Sequence, residues 1–326
     1  MNKIFKFILI GLVQALLLTG TISAQKLKEV EPALRISTQQ KLPSNWDDGA
    51  WILANRIEPW KASETAIIVC DMWDKHWCDI STARFGELAV ALNPVLEAAR
   101  AKGVKIVHAP SDCMNYYANY PGRKEAAKYK DKKIAALANG NKLPSEENAV
   151  WPIDQSDEGC ENANCKPYKA WTKQADVLTI QDGDLISDSG EEIGTYFKKK
   201  GIKNVILTGV ATNMCVIGRS FGLRAMKQMG LNVVLMRDIT DVMYNPEKAP
   251  KVNHFSGLDL MVDYIETYVC PSIVSTDFTG KKQFKFAGDK RKRIAILTAE
   301  GEYHANQKLP EFANELTLKD FHCDFA

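Results

Sequence analysis

The chain has little excess charge of either sign and few histidines. Its 326 residues contain 42 Lys and Arg against 40 Asp and Glu, a net charge of +2, so nothing indicates nucleic acid as a partner. The five histidines include no pair at the short spacing of a zinc motif, so the sequence predicts no metal and no cofactor. With 45% hydrophobic and 25% charged residues, the chain is predicted to be globular and long enough for one large domain plus a remainder.

Residues 1–24 have the pattern of a secretion signal. Lys3 and Lys6 precede the apolar run from Phe7 to Leu18, and small residues from Thr21 to Ala24 offer a cleavage site. The run is short for a bilayer span, so removal is favoured over retention as a membrane anchor. No cysteine follows it directly, which argues against a lipoprotein anchor. We therefore expect a secreted or periplasmic protein with no membrane contact after cleavage.

If the chain is exported, its cysteines can form disulfides, because the periplasm and the extracellular space are oxidising. Cys160 and Cys165, in the polar loop DEGCENANC, form the predicted local pair. A zinc site is the alternative, disfavoured because paired short spacings with histidine partners are missing. All eight cysteines follow the signal: Cys70, Cys78, Cys113, Cys160, Cys165, Cys215, Cys270 and Cys323.

The stretch from Lys203 to Asp238 predicts a strand, a turn, a helix and a second strand. An apolar run ends at Gly209, a segment with helical apolar spacing follows, and Gly230 precedes a second apolar run. Cys215 then falls in the first helical turn, at the edge where open α/β sheets place their sites. A thiol there has a lowered pKa, and free N–H groups there can hold an oxyanion. A buried structural cysteine is the alternative.

The segment GVATNMCV, from Gly209 to Val216, resembles the nucleophile motif of isochorismatase-like cysteine hydrolases, which include nicotinamidases, isochorismatases and N-carbamoylsarcosine amidases. The resemblance implies that Cys215 attacks an amide or related carbon of a small-molecule substrate. It also implies a cis peptide bond between Val210 and Ala211, and an oxyanion hole made by the amides of Ala211 and Cys215. Homo-oligomerisation is a further expectation from the family.

A second motif lies at the first strand predicted within the main domain, Thr65 to Cys70. AIIVCDMWDKHWC resembles the first signature of the same family, in which a strand-ending aspartate is the general base. Asp71 matches that aspartate, although Trp73 stands where the family commonly has glutamine. The alternative is that Asp71 serves as a helix cap or turn acid.

Two histidines follow predicted strands near this edge. Nicotinamidases carry an aspartate and histidine metal site near these loops, but His76 in DKHWCD and His108 in HAPSDCMNYY lack its histidine pair. We therefore expect His76 and His108 to form hydrogen bonds or shape the substrate pocket.

The third family motif is missing. The resemblance implies a catalytic lysine after a fourth strand, predicted at Asp176 to Ile180, but the position is taken by Asp182 or Asp184. A carboxylate there would raise a neighbouring carboxyl pKa and oppose thiolate formation. We expect one of the two aspartates to point into the site.

Three explanations of the missing lysine stay open. Another lysine enters the site, a cation binds between Asp71 and Asp182, or the pocket binds without turnover. The candidate lysines are Lys75, Lys166, Lys169 and Lys173.

The fold class predicted is a three-layer αβα sandwich with a mostly parallel, Rossmann-like sheet of about six strands, as in isochorismatase-like proteins. The hydrolase domain covers residues 61–279, after a lead-in at 25–60. Asp238 within it is predicted to pair with Arg219 or Arg224.

A basic linker at 280–292 is predicted to lead to a partial βα unit at 293–326. The segment RIAILTAEGEYHANQKLPEFANEL resembles the opening of a ThuA-like domain, so a truncated second domain is expected. A strand from this unit joining the main sheet would contradict that expectation.

Together these features predict an exported cysteine hydrolase acting on a small amide or related C–N or C–O bond. The alternative is a non-catalytic binding module on the same fold.

Overall fold

A computed structural model of the chain describes residues 33–44, 50–162, 164–297 and 304–325. The predicted signal at 1–24 lies outside these residues. The strands are β1 (Leu34–Pro43), β2 (Trp51–Trp60), β3 (Thr65–Cys70), β4 (Lys105–Ala109), β5 (Leu185–Ile186), β6 (Asn204–Val210), β7 (Asn232–Asp241), β8 (Ser272–Ile273), β9 (Lys292–Ile296) and β10 (Phe321–Phe325). The helices are α1 (Asp79–Ala101), α2 (Pro121–Ala126), α3 (Lys132–Leu137), α4 (Gly190–Lys200), α5 (Leu223–Gln228), α6 (His254–Tyr268), α7 (Thr276–Thr279) and α8 (Ala305–Thr317).

Eight strands form the main sheet in the order β2-β1-β8-β7-β6-β3-β4-β5. The six strands from β3 to β8 are mutually parallel, and β1 runs antiparallel to both β2 and β8. The predicted α/β class with about six parallel strands is therefore confirmed. All six residues of β3 are buried, as expected for a parallel strand covered by helices on both faces.

The order in which strands are added to the sheet reverses between the parallel neighbours β3 and β6. From β3 the chain continues outward through β4 and β5, and it then returns to β6 and builds β7 and β8 on the other side. Ligands of open α/β sheets bind at such a switch point, outside the carboxyl ends of the strands. The two residues after β3 and β6 that the motifs single out both lie there.

The polar lead-in at residues 25–60 contains structure that the sequence analysis missed. β1 and β2 pair over ten residues each, and Gln39 in β1 pairs with Ser272 in β8. Inner residues of β1 such as Ile36 are buried. The hairpin thus extends the main sheet at its β8 edge.

The predicted fourth strand at Asp176 to Ile180 is wrong, since the strand is β5, at Leu185–Ile186. In the predicted segment Leu178 is buried but Val177 is 40% exposed, and the Leu178 amide donates to Ala175 in a turn. One buried side chain can be accommodated in a turn, so this short apolar run does not have to pair with a strand.

The C-terminal residues form a βαβ unit, because β10 follows α8 and pairs in parallel with β9. The sequence analysis missed β10. The two strands make a separate sheet rather than joining the main one. The predicted linker at 280–292 is partly buried, since Phe286 stacks on Phe255 with ring centroids 5.3 Å apart. The truncated second domain stays a prediction.

Among the described residues, we find no helix that combines the length and apolarity needed to cross a membrane.

Candidate active site

The site is positioned by the register of the two central strands. Cys70, the last residue of β3, pairs with Gly209 of β6. Gly209 has φ +106°, and a Cβ at this position would collide with the Cys70 carbonyl oxygen. Glycine is therefore required, because it alone combines this backbone conformation with so close an approach.

The turn after β6 carries Cys215. The Val210–Ala211 peptide bond is cis, at the position that the resemblance implied. A wide helical turn, Thr212–Val216, follows, and the Val216 amide donates to the Ala211 carbonyl at 3.0 Å. The buried Asn213 side chain exchanges hydrogen bonds with the Met243 backbone, which anchors the turn to the segment after β7.

Asp71 lies directly after β3 and its side chain is completely buried. Its Oδ1 accepts a hydrogen bond from the Ser111 amide at 2.7 Å, and its Oδ2 accepts one from Nε of Arg219 at 3.0 Å. Its backbone adopts φ +48°, in the left-handed region that is uncommon for non-glycine residues. The Cys215 thiol and the Asp71 carboxyl group lie close enough for each to affect the pKa of the other.

Arg219 is the cation that the sequence analysis did not assign to the site. It follows Cys215 by four residues, and its amide donates to the Cys215 carbonyl at 3.0 Å. Residues four apart in a helical turn share a face, so the CVIGR spacing was a signal that could have identified it. The site thus joins a thiol, a carboxylate and a guanidinium within one cluster, in which Asp71 is buried and the other two side chains are partly accessible.

The electrostatics of this cluster keep the resting proton on sulfur. Burial, followed by the nearby Asp71 carboxylate, raises the pKa of Cys215, whereas Arg219 and the Ala211 amide oppose the rise. Burial also raises the pKa of Asp71, and here too Arg219 opposes it. The prediction of a lowered thiol pKa is therefore wrong, because loss of hydration outweighs the helix terminus. A carboxyl group with a raised pKa is, however, a stronger base.

The two predicted oxyanion donors, the amides of Ala211 and Cys215, belong to the turn that carries the thiol. The Ala211 amide opposes the rise in the pKa of Cys215. The Cys215 amide lies in the first turn after Ala211, where backbone N–H groups precede any intrahelical acceptor. Cys215 keeps part of its surface accessible.

Aromatic rings line one side of the site. Trp73 and Trp171 stack with centroids 4.1 Å apart, and Cys215 packs against the cluster to which Trp73 belongs. The ring of His76 is nearly parallel to Trp171, at 6.0 Å. Burial lowers the pKa of His76 to about 4, so this ring is neutral at physiological pH. Trp73 and His76 are thus suited to shape a pocket rather than to transfer protons.

The remaining predicted residues belong to a second polar cluster. His108 is buried between Gln174 and Asp184, and Asp184 is also bound by Arg100 at 2.7 Å. Although burial opposes ionisation, hydrogen bonds from His108 and Arg100 lower the pKa of Asp184. Asp182 is exposed. Asp184 is therefore held by its own cation, and the expectation that Asp182 or Asp184 points into the site stays a prediction.

The candidate lysines have other partners or are exposed to solvent. Lys169 donates to the Asp112 carbonyl, Lys173 pairs with Asp176, and Lys75 and Lys166 are exposed.

The predicted ion pair of Asp238 is also wrong. Its carboxylate accepts from the amide and hydroxyl of Ser275, while Arg224 pairs with the buried Glu146. The partners of these carboxylates come close only in the folded chain, so sequence spacing does not reveal them.

Residues suited to a metal ion lie in a different place from Cys215. The predicted pair Cys160 and Cys165 is in contact, and the structure adds Cys78 to it. Among the His, Cys, Asp and Glu side chains of the described residues, these three cysteines form the group whose ligand atoms lie close enough together to hold one cation.

No protein-family model matches the chain, and no curated protein matches it. Among solved structures, a cysteine hydrolase from Pseudomonas syringae pv. phaseolicola 1448A gives a TM-score of 0.42 at 14% identity, covering 73% of this chain and 94% of that one. An isochorismatase family protein from Burkholderia thailandensis gives 0.39 at 15%, covering 67% and 95%. An isochorismatase-like hydrolase from Alkaliphilus metalliredigens gives 0.38 at 16%, covering 67% and 95%. The chain is similar to these proteins in fold, and any catalytic role must rest on the geometry of its own site.

Proposed function

We propose that the chain is a cysteine hydrolase that cleaves a small amide, or a related C–N or C–O bond, through a covalent intermediate on Cys215. The observation that carries the proposal is the meeting of Cys215, Asp71 and Arg219 at the switch point of the sheet. A nucleophile, a base and a cation in contact, beside backbone N–H groups, are the parts that acyl transfer requires.

The reaction proceeds in two stages. Cys215 sulfur attacks the substrate carbonyl carbon while its proton passes to Asp71, and the amides of Ala211 and Cys215 hold the oxyanion. The C–N bond breaks as Asp71 returns the proton to the leaving amine, which leaves a thioester. Water then attacks the thioester carbon and gives its proton to Asp71, and the carboxylic acid and the Cys215 thiol are released.

Arg219 supplies the positive charge that the missing lysine would otherwise provide. Burial raises the pKa of the Asp71 carboxyl group and the Arg219 guanidinium opposes this rise, so Arg219 favours the ionised form that acts as the base. It also acts on Cys215, where its charge favours the thiolate that forms during attack. A guanidinium stays protonated through the cycle, so it stabilises charge without exchanging a proton.

A non-catalytic binding module is the second candidate. It is favoured by one observation, the raised pKa of Cys215, because a thiol that keeps its proton is a weak nucleophile. The two candidates differ in whether Asp71 removes that proton during attack.

Site-resolved alkylation distinguishes them. We would measure the rate of iodoacetamide labelling at Cys215 against pH by mass spectrometry, in the wild type and in Asp71→Asn. General-base assistance predicts labelling of Cys215 near neutral pH that slows at least about tenfold in the variant. A rate no faster than that of a free thiol of pKa about 8.5, and the same in both proteins, would favour the binding module.

A screen over small amides completes the test. Turnover, with an acyl adduct on Cys215 in the intact mass, is expected in the wild type and absent in Cys215→Ser, whose size is nearly the same.

We also propose that the chain is exported after removal of residues 1–24 and that it acts without nucleic acid or membrane partners, as a homo-oligomer. The motif at the N-terminus supports export. The N-terminal sequence of the mature protein tests it, with Gln25 expected as the first residue, and light scattering tests the oligomeric state.

A further inference from the structure

Three cysteines from distant parts of the chain meet at the N-terminus of α1. Cys78 immediately precedes α1, and Cys160 and Cys165 lie in the long segment between α3 and β5. Their three sulfur atoms lie within 4.8 Å of one another, and the Cys160 sulfur contacts both of the others. One sulfur forms only one disulfide, so the two contacts cannot both be disulfide bonds.

The geometry points to a zinc site formed by the thiolates of Cys78, Cys160 and Cys165, a site separate from the proposed hydrolytic centre. A disulfide accounts for two of the three sulfurs and leaves the third as a thiol inside the cluster, whereas a metal ion uses all three. Zinc binds cysteine sulfur at about 2.3 Å, so three sulfurs around one ion are roughly 3.8 Å apart. The three sulfurs lie within 4.8 Å of one another, but the two contacts of the Cys160 sulfur are shorter than this spacing, so the side chains must move apart to admit the ion.

The sequence spacing agrees with this assignment once the third ligand is known. Cys160 and Cys165 are separated by four residues, within the range of paired zinc-binding cysteines. The sequence analysis set zinc aside because it found no second short pair and no histidine partner. The structure supplies instead a ligand 82 residues before Cys160.

The surroundings suit a cluster of thiolates. Cys78 and Cys160 are buried, with 0% and 5% of their surface exposed, while Cys165 is partly accessible. Cys78 caps α1, a helix of 23 residues, and the positive end of such a helix favours a thiolate. Binding of Zn²⁺ would release up to three thiol protons to solvent and leave the fourth coordination position open to water.

The site would clamp the long α3–β5 segment onto α1. His76 lies two residues before Cys78, and Trp171 lies six residues after Cys165. The two rings contact each other in the aromatic wall of the candidate active site. A zinc ion would therefore fix both chain segments that supply this wall.

The experiment uses the whole chain, reduced and made metal-free without oxygen, and then supplied with zinc. After gel filtration, we expect about one zinc per chain by mass spectrometry of the metal in the wild type and in the matched control Cys323→Ser, which removes a partly exposed cysteine outside the cluster. Cys78→Ser, Cys160→Ser and Cys165→Ser should each lower the affinity for zinc by more than about tenfold in competition with a chelator.

A second measurement needs no substitution, so it does not depend on the folding of the variants. Zinc added to the reduced wild type should slow iodoacetamide labelling of Cys78, Cys160 and Cys165 by at least about tenfold and leave Cys323 unchanged. The proposal would be overturned if the reduced wild type took up no zinc, or if zinc protected none of the three thiols. A disulfide from Cys160 to either neighbour that forms and persists in the presence of zinc would also overturn it.

Discussion

Arg219→Met tests whether this arginine supplies the cation that Asp71 needs. The Asp71 side chain is completely buried, and the Arg219 side chain, with Nε 3.0 Å from Oδ2, is 33% exposed. Removing one partner of a fully buried ion pair costs about 3–5 kcal/mol, and exposed pairs contribute less than about 1 kcal/mol. Because Arg219 is partly exposed, we expect the free energy of unfolding to fall by about 2 kcal/mol.

The loss of unfolding free energy should depend on pH, and the pKa of Asp71 determines whether it grows or shrinks as pH rises. Burial raises the pKa of Asp71 above its unfolded value, so ionisation of this group lowers stability as pH rises through its folded pKa. Without the guanidinium, that pKa rises further. The difference between Arg219→Met and the wild type should therefore be small at ~pH 5 and largest at ~pH 8.

Urea unfolding at both pH values, followed by tryptophan fluorescence, measures the difference. Arg219→Lys keeps a positive charge and should recover part of the loss. In an Asp71→Asn background Arg219 no longer has its buried carboxylate partner, so Arg219→Met should cost little there, and the double-mutant cycle gives the coupling. An equal loss at the two pH values, or an equal loss in the Asp71→Asn background, would refute the assignment of Arg219.

Three further predictions concern single positions. Gly209→Ala places a methyl group against the Cys70 carbonyl and should lower the melting temperature, with a loss of at least ~1 kcal/mol in unfolding free energy; an unchanged melting temperature would contradict the register argument. Trp171→Leu removes a stacked ring and should raise KM several-fold with little change in kcat, corresponding to about 1 kcal/mol, and a fall in kcat alone would contradict this role. Although burial opposes its charge, two aspartate partners raise the pKa of His322 to about 9, so stability present below pH ~6.5 should be lost as pH rises through about 9. His322→Gln should remove that dependence in unfolding measurements, and a wild-type curve that stays flat across this range would exclude it.

The sequence by itself determined the two halves of the candidate site. Asp71 directly follows an apolar run of five residues, Ala66 to Cys70, and Cys215 comes soon after another, so each was expected at the carboxyl end of a buried strand. Local order along the chain carries such information, because strand, turn and helix succeed each other within a few residues. The repeated order of strand, turn and helix also predicted the class of fold. It did not predict the short β5 or the hairpin of β1 and β2.

Tertiary structure alone decided which groups meet. Arg219 rather than a lysine pairs with Asp71, Arg100 pairs with Asp184, and Cys78 joins two cysteines more than 80 residues later. Each of these contacts joins elements whose separation in sequence says nothing of their distance in space. Burial also reversed the expected pKa of Cys215, since loss of hydration depends on every segment that covers the site and not only on the helix that carries it.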